Sequence, residues 1–127
     1  MHVSSGFEMR SPGPPSPQVI TGQVERLVRQ TGYKTAQCTV YLPGSGAGLF
    51  TVDCPGGDYQ HAEDLIKEWL GLSTQPNVLS ALMGNQIVLP VLRGQIVRAT
   101  WQEYFLIDFC GHSRWHQITV LIQELSA

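Results

Sequence analysis

The chain has 127 residues, of which 43% are hydrophobic and only 14% are charged. This length and apolar content predict one domain, residues 1–127, built around one core. The sparse charge excludes a disordered acidic or basic tail protein. Eight basic and ten acidic residues leave a net charge of -2, which argues against a nucleic-acid binder that neutralises phosphates. So few charges also give a first indication of an oligomer, because apolar surface usually meets a partner.

Neither a membrane span nor an export signal is predicted. The longest apolar runs, such as Ile87–Leu92, are far shorter than the ~20 residues that cross a bilayer, and the first residues contain no apolar signal core. Cys38, Cys54 and Cys110 form no CxxC pair and no disulfide framework. The reducing cytoplasm is therefore the expected location, and buried, inert thiols are the favoured interpretation of the cysteines.

The N-terminal part is predicted to hold an edge strand and one amphipathic helix. Residues 1–17 are expected to be flexible or to form an edge strand, and the proline-rich stretch 11–17 cannot be helix or central strand. Residues 19–31 are predicted as a helix because apolar side chains recur at three- and four-residue steps. These are Ile20, Val24, Leu27 and Val28, with Thr21 as the expected N-cap and Gly32 as the stop.

The middle of the chain changes to a period of two and then returns to helical spacing. Residues 38–42 and 49–53 are predicted as strands joined by the glycine-rich segment Gly44–Gly48. Asp58 is expected to cap a second helix that runs through Leu70, and Gly71 is expected to end it. A short third helix is predicted over Asn77–Met83.

The last third is predicted to be rich in strands. Residues 86–92 and 95–101 flank the dipeptide Arg93-Gly94, a two-residue hairpin signal. Further strands are expected over residues 102–109 and 115–125. Because the strands pair through short hairpins, the predicted fold class is α+β, with antiparallel sheets, two main helices and one short helix.

The segment Gly44–Gly48 allows two interpretations. It lacks the Gly-Lys-Ser/Thr that opens the helix of a P-loop. The simpler interpretation is a tight connection between two strands, since turn glycines are common. The alternative is an anion-binding or ligand-binding loop, because glycines let backbone N–H groups approach an anion closely.

Asp108 is the strongest candidate for a functional side chain, because it lies between Ile107 and Phe109 in an apolar strand. A carboxylate in such a place either has a partner and a perturbed pKa or simply points outward. Arg114 is the nearest candidate partner. His112 and His116 have a metal-ligand spacing but no third ligand nearby, so solvated or hydrogen-bonded histidines are favoured and no metal site is predicted.

Thr100, Trp101 and Gln102 are a second candidate group. An aromatic ring flanked by polar groups at a strand bend is able to line a pocket, although Trp is also a frequent core or interface residue. The structural role is the favoured interpretation of this segment.

The order of motifs resembles the YjbQ-like proteins, which are often labelled secondary thiamine-phosphate synthases. The resemblance covers nearly the whole chain. It begins with the first helix and its Gly32-Tyr33 turn, and Pro43–Leu49 takes the place of a Pro-His-Thr run. The most specific part is Met83–Gln102, which contains Leu-Pro-Val, a glycine three residues on and then Thr-Trp-Gln, followed by Leu106–Phe109.

The resemblance implies an α+β fold, a homotrimer, and a site for a metal or an anion near subunit contacts. Its label implies an enzyme that joins a pyrimidine pyrophosphate to a thiazole phosphate. The family histidines are absent, however, since Gly44 replaces one and the loop at residues 71–78 is short and has no histidine.

Two function classes therefore stay open. The first is a non-catalytic trimer, either a structural protein or one that binds a small ligand, for which a phosphate-bearing small molecule is a candidate. The second is the family enzyme. No cofactor is indicated. The candidate site residues are Asp108 and Arg114 as catalytic groups, and Ser45, Asp53, Thr100, Trp101 and Gln102 as ligand-binding groups.

Overall fold

A computed structural model describes residues 1–126, and this range contains eight strands and three α-helices. In chain order they are β1 (His2–Arg10), β2 (Gln18–Val19), α1 (Thr21–Thr31), β3 (Thr35–Tyr41), β4 (Ala47–Asp53), α2 (Gln60–Leu72), α3 (Pro76–Met83), β5 (Gln86–Leu92), β6 (Gln95–Ile96), β7 (Gln102–Asp108) and β8 (Trp115–Glu124). A single 3₁₀ turn, Pro55–Gly57, precedes α2.

All strand pairs are antiparallel, and they form two sheets. The larger sheet has the order β1-β8-β3-β5-β6, and the smaller has the order β2-β7-β4. The N-terminal segment forms an edge strand along the whole of β8. The predicted α+β class with antiparallel sheets is confirmed.

The smaller sheet lies between two hydrophobic cores. Tyr104 and Leu106 of β7 contribute to the core shared with the larger sheet and α1, whereas Phe105 and Ile107 contribute to the core beneath α2 and α3. A strand with both faces covered must be apolar at every position, which explains the unbroken run in β7. Asp108 follows in the same alternation as Leu106, so its side chain faces the larger sheet.

Three local predictions were wrong in detail. Thr21 does not cap α1. Its hydroxyl instead accepts a hydrogen bond from the amide of Tyr104 (2.9 Å) and donates to Glu103, which ties the helix to β7. Helix α2 begins one residue later and ends two residues later than predicted, although Asp58 does accept a hydrogen bond from the Gln60 amide (3.0 Å). Gly71 lies within the last turn and does not end the helix.

The predicted strand over residues 95–101 is much shorter in the structure. Only Gln95 and Ile96 pair with β5, after the turn at Arg93-Gly94. Beyond them the chain leaves the sheet, because Arg98 turns toward Glu25 of α1 (2.6 Å). The side chain of Gln102 then accepts a hydrogen bond from the Ala99 amide (3.1 Å), which closes the loop before β7.

Among the described residues, no helix is long and apolar enough to cross a membrane.

Candidate functional site

Asp108 is buried at the end of β7 and is surrounded by donors. Its Oδ2 lies 2.7 Å from Arg114 Nε and 2.7 Å from His116 Nε2, and the Ser11 hydroxyl lies 3.3 Å away. Its Oδ1 accepts a hydrogen bond from the Cys110 amide (2.8 Å). The side chain is only 2% exposed, so these groups replace the water that a carboxylate would otherwise bind.

The donors keep Asp108 ionised. Burial by itself raises the pKa of this carboxyl group, but the hydrogen bonds from Arg114, the Cys110 amide and His116 outweigh it and lower the pKa from 3.8 to about 2. An ionised carboxylate only accepts hydrogen bonds, so Nε2 of His116 must carry a proton. The charge of Asp108 therefore fixes the orientation and the tautomer of the imidazole.

Arg114 connects Asp108 to the glycine-rich segment. Its Nε donates to Asp108 and its NH2 group donates to the carbonyl oxygen of Ser45 (3.1 Å). The Phe109 amide donates to the neighbouring carbonyl of Gly46 (2.8 Å). The carboxylate and the guanidinium thus act together as a brace that holds the segment against the end of β7.

Two glycines of this segment, Gly46 and Gly48, are required by close contacts. A Cβ on Gly46 would lie 2.5 Å from the Cys110 sulfur, and the φ of +81° is one that other residues rarely adopt. A Cβ on Gly48 would lie 2.9 Å from the Gly84 carbonyl oxygen, where α3 ends. The tight connection inferred from the sequence is therefore present, and its glycines permit the approach of both neighbours.

An uncharged cleft of ≈ 310 Å³ lies on the open side of the same segment. It is lined by Gly44, Ser45, Ala47, Asn77, Ser80, Ala81, Gly84 and Asn85, none of which is charged. The Ser80 hydroxyl accepts a hydrogen bond from the Gly46 amide (3.1 Å). Within residues 1–126 the amides of Gly44 and Ser45 donate no hydrogen bond, so two backbone donors at the cleft have no protein acceptor.

The other predicted ligand-binding residues lie elsewhere. Asp53 pairs with Gln102 at the opposite end of the β4–β7 ladder from Ala47 and Asp108. The two ends are six residues apart on β4, about 20 Å at ~3.4 Å per residue. Thr100 and Trp101 lie in the loop that precedes Gln102, and the Trp101 ring is about half exposed.

The candidate residues therefore form two groups. Asp108, Arg114 and Ser45 come together, whereas Asp53, Thr100, Trp101 and Gln102 are separated from them. The seven residues do not line one cleft, because the antiparallel pairing of β4 with β7 sends residue 53 away from residue 108. Gln102 instead accepts the loop hydrogen bond from Ala99.

The cysteines are free in the described chain, and burial raises the pKa of each thiol, that of Cys38 to about 11. Thiolate chemistry near neutral pH is thereby disfavoured. Residues 1–126 contain no group of three His, Cys, Asp or Glu side chains placed to hold a metal ion.

Sequence reasoning missed two members of the Asp108 cluster, His116 and Ser11. His116 was interpreted as solvated or hydrogen-bonded, and it is the buried, hydrogen-bonded kind. Its position gave a usable signal, because His116 shares the inward alternation of Ile118 and Val120 on β8. Ser11 lies in the proline-rich stretch, which carries no period that would place it.

The fold and this site define a class: a two-sheet α+β domain in which a buried carboxylate braces a glycine-rich segment. Solved structures share this fold. A YbjQ-like protein of unknown function from Sulfolobus solfataricus P2 is 22% identical, with a TM-score of 0.89 over 98% of this chain and 99% of that one. A hypothetical protein from Aeropyrum pernix K1 is 18% identical, with a TM-score of 0.86 over 97% and 99% of the two chains.

A third structure carries the family name. This uncharacterised conserved protein of the YjbQ family from Clostridium acetobutylicum is 19% identical, with a TM-score of 0.76 over 96% of this chain and 98% of that one. No family model matches the sequence, and no curated protein matches it. The YjbQ-like fold inferred from the motif order is confirmed, and the low identities mark a diverged sequence.

Proposed function

We propose that this protein binds a phosphate-bearing small molecule in the cleft beside Gly44–Gly48. One observation carries the proposal: two unused backbone amides, those of Gly44 and Ser45, border a cleft whose lining has no charged residue. Backbone amides in a segment of positive-φ glycines are well suited to oxyanions. The side-chain amide of Asn77 supplies a further donor at the cleft. The Ser80 hydroxyl donates to the Asn77 carbonyl oxygen (3.2 Å) and accepts from the Gly46 amide, so it holds the segment in place.

Binding is favoured over catalysis because the charged groups are already engaged. Asp108 has a pKa of about 2 and is held by Arg114 and His116, so it is a poor proton acceptor near neutral pH. The raised pKa of Cys110, due mainly to burial, keeps it a poor nucleophile. In this account Asp108 and Arg114 position the segment and do not react.

The alternative is an enzyme of the thiamine-phosphate synthase type. The Asp108–His116 pair favours it, since a carboxylate that orients an imidazole is a common device in acid–base catalysis. Joining a pyrimidine pyrophosphate to a thiazole phosphate also requires cations around the leaving pyrophosphate. Near the segment only Arg114 is available in residues 1–126, and its Nε and NH2 groups are bound to Asp108 and Ser45.

A thermal-shift screen tests the proposal. Inorganic phosphate, thiazole phosphate, a pyrimidine pyrophosphate and Mg²⁺ would each be titrated, because a ligand of the native state raises the unfolding midpoint. We expect the phosphate compounds to raise it and the Ser80→Ala, Asn77→Ala double variant to lose that response. Ser4→Ala, an exposed serine on β1, is the matched control. If thiazole phosphate and the pyrimidine pyrophosphate were converted to a joined product when incubated together with the protein, the enzyme function would be favoured. If no compound shifted the unfolding midpoint, both functions would be rejected.

A homotrimer is the second part of the proposal, and the outer face of the larger sheet supports it. On β3, β5 and β8 every outward position is uncharged, and Tyr41, Val88, Leu92, Trp115 and Leu121 are exposed there. Val88 and Leu121 flank Thr39 in neighbouring strands and form an apolar row. A flat face of this kind is typical of contacts between subunits.

Light scattering coupled to size exclusion tests the assembly. We expect a mass three times that of the 14.0 kDa chain. Leu121→Lys should reduce it to that of a monomer, whereas Leu72→Lys, an exposed position on α2, should leave it unchanged. A wild-type monomer would reject this part. The cytoplasm is the proposed location, because unpaired thiols suit a reducing compartment.

A further inference from the structure

The fold gathers basic residues that are dispersed in the sequence. Lys34 precedes β3, and the amide of Gly94 in the β5–β6 turn donates to its carbonyl oxygen (3.0 Å). Arg93 lies in that turn, Arg29 lies in the last turn of α1, and Arg98 follows β6. Four of the eight basic residues of the chain therefore lie close together, although they come from two stretches, residues 29–34 and 93–98, that are distant in sequence.

A cleft of ≈ 320 Å³ opens among them. It is lined by Glu25, Val28, Arg29, Gly94, Gln95, Ile96 and Arg98. Glu25 is the acidic residue of this lining, and it lies between the two arginines. Its Oε1 accepts from Arg98 NH1 at 2.6 Å, and its Oε2 lies 3.5 Å from Arg29 NH1.

One carboxylate does not neutralise two guanidinium groups. Arg98 is 26% exposed and its NH1 is held by Glu25, while its other N–H groups have no acceptor among the described residues. Arg29 is 61% exposed and has only the longer contact. The cleft therefore has one uncompensated positive charge and several unused donors, in the forked geometry that matches an oxyanion.

A buried hydroxyl in the core that borders the cleft is a second observation. Tyr104 is fully buried, and its hydroxyl has no hydrogen-bond partner among the described residues. It belongs to the same hydrophobic core as Val28 and Ile96, two residues of the cleft lining. An unpaired buried hydroxyl costs stability, and such groups usually have a bound molecule or water as their partner.

We propose that this cleft is a second binding site, distinct from the glycine-rich segment, that takes the oxyanion group of a small molecule on Arg29 and Arg98. Glu25 forms ion pairs with the two arginines when the site is free, and it competes with the ligand for them. The site does not depend on the function proposed for the Gly44–Gly48 cleft, because the two clefts share no residue.

Amide NMR with inorganic phosphate as titrant tests the site residue by residue. We expect saturable shifts at Gly94 and Gln95, and about tenfold weaker binding there in Arg29→Gln, an exposed change that spares the fold. Arg26→Gln removes the same charge from the same helix outside the cleft, and should leave the affinity at Gly94 unchanged. A parallel titration with acetate shows whether a carboxylate is accepted as well as a phosphate.

Glu25→Gln gives the sharpest readout, because it removes the internal competitor. We expect phosphate to bind about tenfold more tightly at Gly94 in this variant. Unchanged or weaker binding, or the absence of a saturable shift at Gly94 in the wild type, would overturn the proposal. Shifts at Gly44 and Gly46 with none at Gly94 would overturn this site while supporting the first one.

Discussion

Replacing Asp108 by Asn tests whether this buried carboxylate is the brace of the glycine-rich segment. The amide offers one acceptor oxygen where the carboxylate offers two, and its NH2 group would face a donor, either the Cys110 amide or the pair formed by Arg114 and His116. Removing one partner of a buried ion pair costs ~3–5 kcal/mol. Because Arg114 is 32% exposed, water recovers part of this cost, so we expect a loss of about 3 kcal/mol and a fall in Tm of about 10 °C.

The loss should depend on pH in a defined window. The folded-state pKa of about 2 lies below the ordinary 3.8, so the ionised carboxylate stabilises the fold above pH 3.8 and this contribution disappears as the pH falls toward 2. The difference between the two pKa values corresponds to about 2 kcal/mol of folding stability, of which about half is lost by pH 3. The gap between wild type and variant should therefore narrow by about 1 kcal/mol between pH 6 and pH 3.

Urea unfolding followed by tryptophan fluorescence measures both effects. Asp53→Asn is the matched control, since Asp53 is exposed at the other end of β4, and it should change the free energy of unfolding by less than about 0.5 kcal/mol. An Asp108→Asn protein as stable as the control, or a stability gap that stays constant from pH 6 to pH 3, would show that Asp108 is not the brace.

Three further predictions concern Gly46, Arg114 and the cysteines, with Gly22 as the control for Gly46. Gly46→Ala should destabilise the fold by about 1–3 kcal/mol, since its Cβ meets Cys110 at positive φ. Gly22→Ala on α1, where a Cβ meets nothing, should stabilise it slightly in the same urea titration. Arg114→Lys keeps the charge but does not span Asp108 and Ser45 together, so the phosphate response in the thermal-shift screen should weaken; an unchanged response would contradict the brace. Iodoacetamide at pH 7 should modify Cys38 only after unfolding and Cys110 slowly, as followed by intact mass, because burial raises both pKa values; rapid alkylation of native Cys38 would refute this.

The elements with a strong hydrophobic period could be predicted from the sequence. In β8 the period of two places Ile118, Val120 and Ile122 on one face, and all three are buried in the structure. In α2 the helical spacing places Ala62 and Ile66 on one face, and both are buried in the second core. Such patterns are local, so they can be recognised in a single sequence.

The partner of a polar side chain could not be predicted, because it depends on strands that are distant in sequence. The candidate pairing of Asp108 with Arg114 was found because the two are six residues apart. Ser11 donates to Asp108 although the two are 97 residues apart in sequence, and no local pattern predicts that contact. The early end of the strand predicted over residues 95–101 could not be predicted for the same reason. Arg98 turns away from the sheet toward Glu25, which lies 73 residues earlier in the chain.

The few charged residues of the chain are unevenly distributed over the folded molecule. Basic residues that had no cluster in the sequence gather at the cleft near Arg29 and Arg98. Outward positions on three strands of the larger sheet are uncharged. The sparse charge is thus unevenly distributed, which supports self-association at one face and anion binding at another.

The most direct test of the central account is a titration of the protein with thiazole phosphate, followed by amide NMR of the glycines. If the segment binds phosphate, Gly44 and Gly46 should shift in a saturable manner in the wild type, and their shifts should weaken in Asp108→Asn because the brace is lost. Glycine amides that stay unmoved at saturating ligand would contradict the account.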